Sequence, residues 1–376
     1  MKKEKNIIFY KTTANFDNTG EVLIYKSLLE LLRQQGKIIV NDSAKIQPLF
    51  LNRIGIKDEE KLSNNTSLSF IPAMIFFALK SLFSSTKINF VTGVGEHVVS
   101  GYKDILKNII SFFFLLLLRI LNVKVIRIGM SMRFSGKFEA WSERLLALVF
   151  NYYYVRDSLS LQYCRNAGIS KCRLAPDLSW AYVADSPSTI SKRYIIFSLR
   201  NFASKENQFE YATHLTKVVV ALIDSILRKN PKQQILFTYQ VNKDFPFMQQ
   251  LYEACKDYHT NITLVSDLIT LENAQEYYGN SSLVFSNRLH ILLLAYKYHA
   301  LTVGLTDIAE HVKIKGIFED ARLANHLIDI NQTFAKIETN YEKLSEHSQD
   351  EVQAIKNIEA DYRLELQTVI ANMFEK

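Results

Sequence analysis

The sequence predicts two doubly wound α/β domains that face each other across a cleft. Three observations carry this. Short, continuously apolar segments alternate with amphipathic ones, as in parallel sheets covered on both faces. The alternation stops at a polar, proline-bracketed stretch near the middle and then starts again. A chain of 376 residues with 48% hydrophobic content suits two cores better than one.

Taken in order, "NIIFY" reads as the first strand. "EVLIYKSLLELLRQQG" sets Val22, Tyr25, Leu28, Leu29 and Leu32 on one face and ends on Gly36, so it reads as an amphipathic helix leading to the strand "KIIV". "INFVTGVG", "VKVIRIGMS" and "YYYVRD" read as further strands, each ending in a polar or glycine-bearing loop. The apolar stretch "IISFFFLLLLRILNVKVI" has an uninterrupted core of only residues 112–118 before Arg119. That is well short of the roughly 18–20 residues needed to span a bilayer, so the stretch reads as a buried helix running into a strand, with contact at a membrane surface the alternative.

The domain boundary is expected in "APDLSWAYVADSPSTISKR", between Pro176 and Pro187. Beyond it "YIIFSLR", a helix over 208–227, "QILFTYQ", a helix over 247–255, "ITLVS", "SLVFS" and "ALTVGL" repeat the alternation. A charged helical tail follows, with Val352, Ile355, Ile358, Tyr362 and Leu366 on one stripe. The expected division is a basic domain over residues 1–183, a second domain over 184–344, and a tail over 345–376 packing across both.

Composition narrows the function. Cys164, Cys172 and Cys255 lack the spacing of a zinc ribbon or a redox pair and are too few for a disulfide framework. The apolar run after the N-terminal lysines is too short for a secretory signal, which makes a cytoplasmic location the expectation. Residues 1–180 hold 25 Lys and Arg against 14 Asp and Glu, whereas the remainder carries a net charge of −4. The basic half suggests an anionic partner, either a phosphorylated small molecule or a lipid-linked diphosphate at a membrane face; ordinary solvated charge fits as well. The cations form no stripe with interleaved aromatics, so no nucleic-acid partner is expected.

In a doubly wound fold ligands bind outside the carboxyl ends of the strands, so the informative residues should follow strands. In "VFSNRLHILLLAYKYHALTVGL", Arg288 and His290 stand between a strand and an apolar helix. A helix N-terminus with a guanidinium there favours a carboxylate or phosphate, and a neighbouring histidine transfers protons near neutral pH. The same pair would also fit a surface arginine and a hydrogen-bonded core histidine. In "VRDSLS", Arg156 follows a strand and Ser158 is placed to cap the next helix; a local Arg156–Asp157 ion pair is the simpler alternative. Arg200 in "FSLRN" is a weaker candidate of the same kind. The loops "KTTANFDNTGE" and "TGVGEH" are turn-forming but lack the dinucleotide and P-loop spacings. No metal-ligand pattern is present, so neither metal nor cofactor is expected.

The ordered set "NTGEVLIYKSLLELLRQQG", "RIGMSM", "VRDSLSLQYCRNAGISKCRLAPDLSW", "SNRLHILLLAYKYHALTVGL" and "VKIKGIFED" resembles the polysaccharide pyruvyl transferase family over roughly residues 6–330. The resemblance implies two Rossmann-like domains of the GT-B type. It also implies transfer of a pyruvyl group from phosphoenolpyruvate to a saccharide, forming a cyclic ketal and releasing phosphate. By position, the family's arginine and histidine of "RLH" fall on Arg288 and His290, and its lysine after the next strand falls on Lys313, with Lys315 the alternative in a lengthened loop. The resemblance further puts Arg156 at the donor, where Arg200 is the candidate from its strand-end position. It puts Asn18, Gly20 and Asp177 on the acceptor side, with Glu21 in place of the usual aspartate as the base. The implied acceptor is a sugar of a surface polysaccharide or of its polyprenyl-diphosphate-linked precursor, met peripherally at the inner face of the cell membrane. A GT-B glycosyltransferase using a nucleotide-sugar, or a non-catalytic scaffold in polysaccharide assembly, would share the same architecture.

Overall fold

The computed structural model describes residues 5–12, 18–43, 48–184, 193–201, 208–256 and 260–375. The chain divides into two compact units: residues 1–16, 24–181 and 361–376 form the first, and residues 17–23 and 182–360 the second. The stretch around Pro187, where the boundary is expected, lies outside the described residues.

The first unit contains β1 (Lys5–Tyr10), most of α1 (Thr19–Arg33), β2 (Lys37–Val40), α2 (Pro48–Ile54), α3 (Phe70–Ser81), β3 (Thr86–Thr92) and β4 (Gly95–Val99). It continues through α4 (Gly101–Ile120), β5 (Lys124–Phe134), α5 (Lys137–Ala147), β6 (Tyr152–Val155), α6 (Ser158–Asn166) and β7 (Cys172–Leu174). Its strands are all parallel in the order β2-β1-β3-β5-β6-β7, and β4 extends the β3 position along the second half of β5. The apolar strands form because each is buried on both faces: Ile8, Phe9 and Tyr10 of β1 are all inaccessible to solvent.

Within β5 the register slips between Arg127 and Met130 around Gly129, whose φ is +80°. A side chain there would stand 2.3 Å from Leu178 Cδ1, so only glycine fits both the conformation and the space.

The expectation that the apolar stretch around residue 115 is a buried helix is corrected. It forms α4, which buries only Asn108, Leu115 and Leu118 and leaves its outer face exposed. A helix packed on one side of a sheet has only one stripe to bury, whatever its composition.

The second unit contains β8 (Tyr194–Ser198), α7 (Gln208–Lys229), β9 (Gln234–Phe237), α8 (Phe245–Cys255), β10 (Ile262–Leu264), α9 (Ala274–Tyr278), β11 (Ser281–Ser286) and α10 (Leu289–Lys297). It continues through β12 (Leu301–Thr306), α11 (Val312–Asp320), β13 (Leu327–Asp329), α12 (Phe334–Glu346) and the first half of α13 (Ser348–Phe374). The strands are parallel in the order β10-β9-β8-β11-β12-β13. The chain thus winds outward in one direction from β8 and in the other from β11. The gap outside the carboxyl ends of these two central strands is the topological switch point, where ligands of such sheets bind.

Stacked Phe197 and Phe285, with ring centroids 4.7 Å apart, fix the two central strands against the core. Ionisable residues in this core are paired: Lys297, whose side chain is fully buried, meets Glu359 at 3.1 Å, and His326 meets Glu351 at 2.9 Å. From residue 361 onward α13 belongs to the first unit, where Trp180 packs edge-on against Tyr362.

Candidate active site

The switch point of the second unit is furnished from three directions. Asn287 follows β11 and is fully buried. Its side chain accepts from Arg200 N and donates to Arg200 O, both at 2.8 Å, and also donates to the Tyr211 hydroxyl at 3.0 Å. It therefore clips the loop after β8 to the loop after β11 and holds Arg200 at the strand ends.

Arg288 is the N-cap of α10, and its own amide donates to Ser286 Oγ at 3.0 Å. Its guanidinium lies against Asp244 with the Nε–Nη2 edge, with Nη2 donating to Oδ1 at 2.5 Å. The planar fork fixes its orientation, so the Nη1 corner is turned away from the pair. Asp244 closes a short 3-10 turn (Asn242–Asp244) after β9 and is itself buried.

His290 sits in the first turn of α10, packed on the N-terminus of α1. A Cβ added to Gly20 would stand 2.6 Å from His290 Nδ1 and 2.7 Å from His290 Cβ, so the missing side chain is the space the imidazole occupies. The segment 17–23 is held in the second unit by Thr19, whose hydroxyl donates to Ile269 O at 2.8 Å. Asn18 caps α1 by accepting from Gly20 N at 3.1 Å, and its amide donates to Glu21 Oε1 at 3.2 Å. In "NTGE", then, Asn18 starts the helix, Gly20 makes room for His290, and Glu21 stands at its first turn.

The third direction is the loop after β12. His311 is buried at the N-cap of α11, bonded to Thr306 Oγ1 and to Asp307 O. Burial, and then the charge of Arg200, push its pKa down to about 4. A neutral histidine adds no positive charge here, which leaves the cations to Arg200, Arg288 and Lys313. Lys313 is half-buried in the first turn of α11, whereas Lys315 is exposed and 4.0 Å from Glu319 along the helix.

Arg156 and Asp177 belong to the first unit, and there they are bound to each other. Arg156 Nη1 donates to Asp177 Oδ2 at 3.0 Å and Nε donates to Ser131 Oγ at 2.8 Å, with Arg156 only 3% exposed. The second Asp177 oxygen accepts from Ser179 N and Ser179 Oγ. The structure gives both residues the task of tying the loop after β6 to the segment that follows β7. Asp177 thus takes the place that the alternative reading gave to Asp157. Asp157, not Ser158, caps α6, accepting from Ser160 N at 2.7 Å, and its other oxygen accepts from Ser131 Oγ. Ser158 is the first helical residue, one position too far along to cap.

The "TGVGEH" stretch also lies in the first unit. Gly93 leaves room for Arg127, which is buried against Glu143 and Tyr153. Burial and then Arg127 hold His97 below the ordinary histidine range. Residues 13–17 of the N-terminal loop lie outside the described residues.

Sequence reading missed Asp244 and Asn287. Asn287 was adjacent to the chosen motif and could have been weighed as a buried clip. Asp244 gives no local signal, because its partner is 44 residues away. Among the described residues no group of three or more His, Cys, Asp and Glu is placed to hold a metal ion.

Solved structures of similar fold include the UDP-GlcNAc 2-epimerase of Neisseria meningitidis bound to UDP-GlcNAc, with a TM-score of 0.57 at 12% identity over 98% of this chain and 99% of that one. The UDP-GlcNAc 2-epimerase of Methanocaldococcus jannaschii gives 0.52 at 14% identity over 90% and 92%. S. aureus MnaA with UDP gives 0.50 at 10% identity over 91% and 88%. At such identities the likeness shows the fold alone, that of GT-B-type enzymes. No curated protein matches the chain. The family described as polysaccharide pyruvyl transferase matches residues 18–306, from the Asn18 cap to the end of β12, which takes in Arg288 and His290 and stops short of Lys313. With three quarters of its length matched in this way, the chain belongs to the polysaccharide pyruvyl transferase family.

Proposed function

We propose that the protein transfers a pyruvyl group from phosphoenolpyruvate to a sugar of a surface polysaccharide or its lipid-linked precursor, with the donor at the switch point of the second unit. The observation that carries this reading is the way Arg288 and His290 are held: one by Asp244, the other on the bare backbone of Gly20. Two costly side chains at a strand end are each given a dedicated support, as a donor with fixed geometry requires.

Phosphoenolpyruvate carries a carboxylate and a phosphate. Arg288, Arg200 and Lys313 supply positive charge for both, and the N-terminal end of the α10 dipole favours an anion as well. Protonated His290 delivers its proton to the vinyl methylene carbon, which becomes a methyl group and leaves the adjacent carbon electrophilic. A sugar hydroxyl bonds to that carbon as Glu21 accepts its proton. The carbon–oxygen bond to phosphate breaks, phosphate leaves with the bonding pair, and a second hydroxyl closes the ketal as its proton returns to the now neutral His290. Arg156 and Asp177 remain the first unit's candidates; they are bonded to each other there, as Arg288 is to Asp244 in the second.

The test is incorporation of carbon-labelled pyruvyl from phosphoenolpyruvate into a glycan-precursor fraction, with phosphate released one for one. His290→Gln is expected to lower the rate by about 10²-fold or more while leaving the thermal transition in place. Label transfer that proceeds unchanged in the variant removes His290 from the chemistry.

A further inference from the structure

We propose that the outer face of α3, α4 and α5 in the first unit docks on an anionic lipid bilayer. This surface does not rest on the donor chemistry, which belongs to the second unit. In α4 the residues Tyr102, Leu106, Ile110, Phe113, Leu117 and Ile120 follow one another at intervals of three or four and so form one stripe. Each is exposed, from 43% for Leu117 to 72% for Tyr102. α5 packs beside α4, joined by Asn108 Nδ2 donating to Ser142 Oγ and Glu143 Oε2, each at 3.1 Å, and it adds exposed Phe138 and Trp141. α3 lies on the same face of the sheet, since its Phe70 and Phe77 pack edge-on against Phe9 in the core shared with α4 and α5. It presents Phe76 and Leu79 outward, and Phe83 just past its end is 93% exposed. In the second unit the large apolar side chains exposed among the described residues are only Val183 and Phe209.

Charge selects the occupant. Residues 70–148 hold ten Lys and Arg against four Asp and Glu, and one of the four, Glu143, is buried against Arg127. Lys80, Lys103, Lys107, Arg119, Lys137 and Arg144 are exposed on these helices. An interface with another protein is depleted of lysine, whereas an apolar face rimmed by lysines, with Trp and Tyr among its aromatics, suits the boundary of an anionic bilayer. Among the described residues no helix is long and apolar enough to cross a membrane. Leu115 and Leu118 anchor α4 in the core, so the face lies on the surface rather than through it.

The test is cosedimentation of the full chain with vesicles of phosphatidylcholine alone and of phosphatidylcholine mixed with phosphatidylglycerol. Binding to the mixed vesicles is expected, at least about tenfold weaker without the anionic lipid, because each lysine near such a surface contributes roughly fivefold. Ile110→Ser with Phe113→Ser should lose most of the binding while the thermal transition stays in place. Lys103→Gln with Lys137→Gln, two exposed positions that leave the apolar face intact, should weaken it by roughly 25-fold. Absence of binding to the mixed vesicles overturns the proposal. So does a dimer in sedimentation velocity that the Ile110→Ser/Phe113→Ser variant dissolves without any change in vesicle binding.

Discussion

Gly20 shows how much a single residue decides at this site. A methyl group there would stand 2.6 Å from His290 Nδ1, so the ring or the start of α1 must shift. Gly20→Ala is expected to leave the protein folded and to lower pyruvyl transfer by about 10²-fold, the usual effect of an ångström-scale displacement of a reacting group. A variant with unchanged rate and unchanged thermal transition would show that His290 has room to spare. Asp244→Ala removes one partner of a buried pair and should destabilise the protein by about 3 kcal/mol in denaturant unfolding. His311 adds a pH dependence. Its pKa of about 4 in the folded chain lies below the ordinary value of 6.5, so the unfolded chain binds the extra proton first. The contribution is complete above pH 6.5 and is lost as pH falls towards 4, by roughly 3 kcal/mol. His311→Gln should flatten the stability profile in that window, and an unchanged slope would assign the acid sensitivity elsewhere.

At the scale of elements, the strands were legible because both faces are buried and the period disappears into continuous apolar runs, as in "NIIFY" and "SLVFS". Arg288 and His290 at the start of α10 were legible for the same reason: they interrupt an apolar context at a strand end. What the sequence could not show was how elements use their polar ends. Asp157 and Ser158 are both good caps, and which one starts α6 depends on where β6 stops. Asp157→Ala is accordingly expected to cost about 2 kcal/mol, at the upper end for a cap, because Ser131 and Ser160 lose their acceptor as well. α4 was misread because an apolar run gives the content of a helix but not how much of its circumference meets a sheet. The partner of Arg156 was not legible, because Asp177 is fixed by the meeting of the β6 and β7 loops and not by spacing along the chain.

At the scale of the whole molecule, two parallel sheets with outward winding give each unit a carboxyl edge, and the candidate residues Arg200, Arg288 and His290 follow strands at the edge of the second. The segment 17–23 joins that unit although the helix it begins continues in the first, which is why "NTGE" and "RLH", 270 residues apart, meet at one place. That meeting is the central claim, and ligand-dependent thermal unfolding tests it most directly. Wild type and Arg288→Ala would be unfolded with phosphoenolpyruvate, with UDP-sugars and with inorganic phosphate. A ligand at about a hundred times its dissociation constant stabilises by about 2.7 kcal/mol. Stabilisation of the wild type by phosphoenolpyruvate beyond that given by phosphate, lost in Arg288→Ala, is the result predicted. Stabilisation by UDP-sugars alone, or a phosphoenolpyruvate shift that survives in Arg288→Ala, would contradict it.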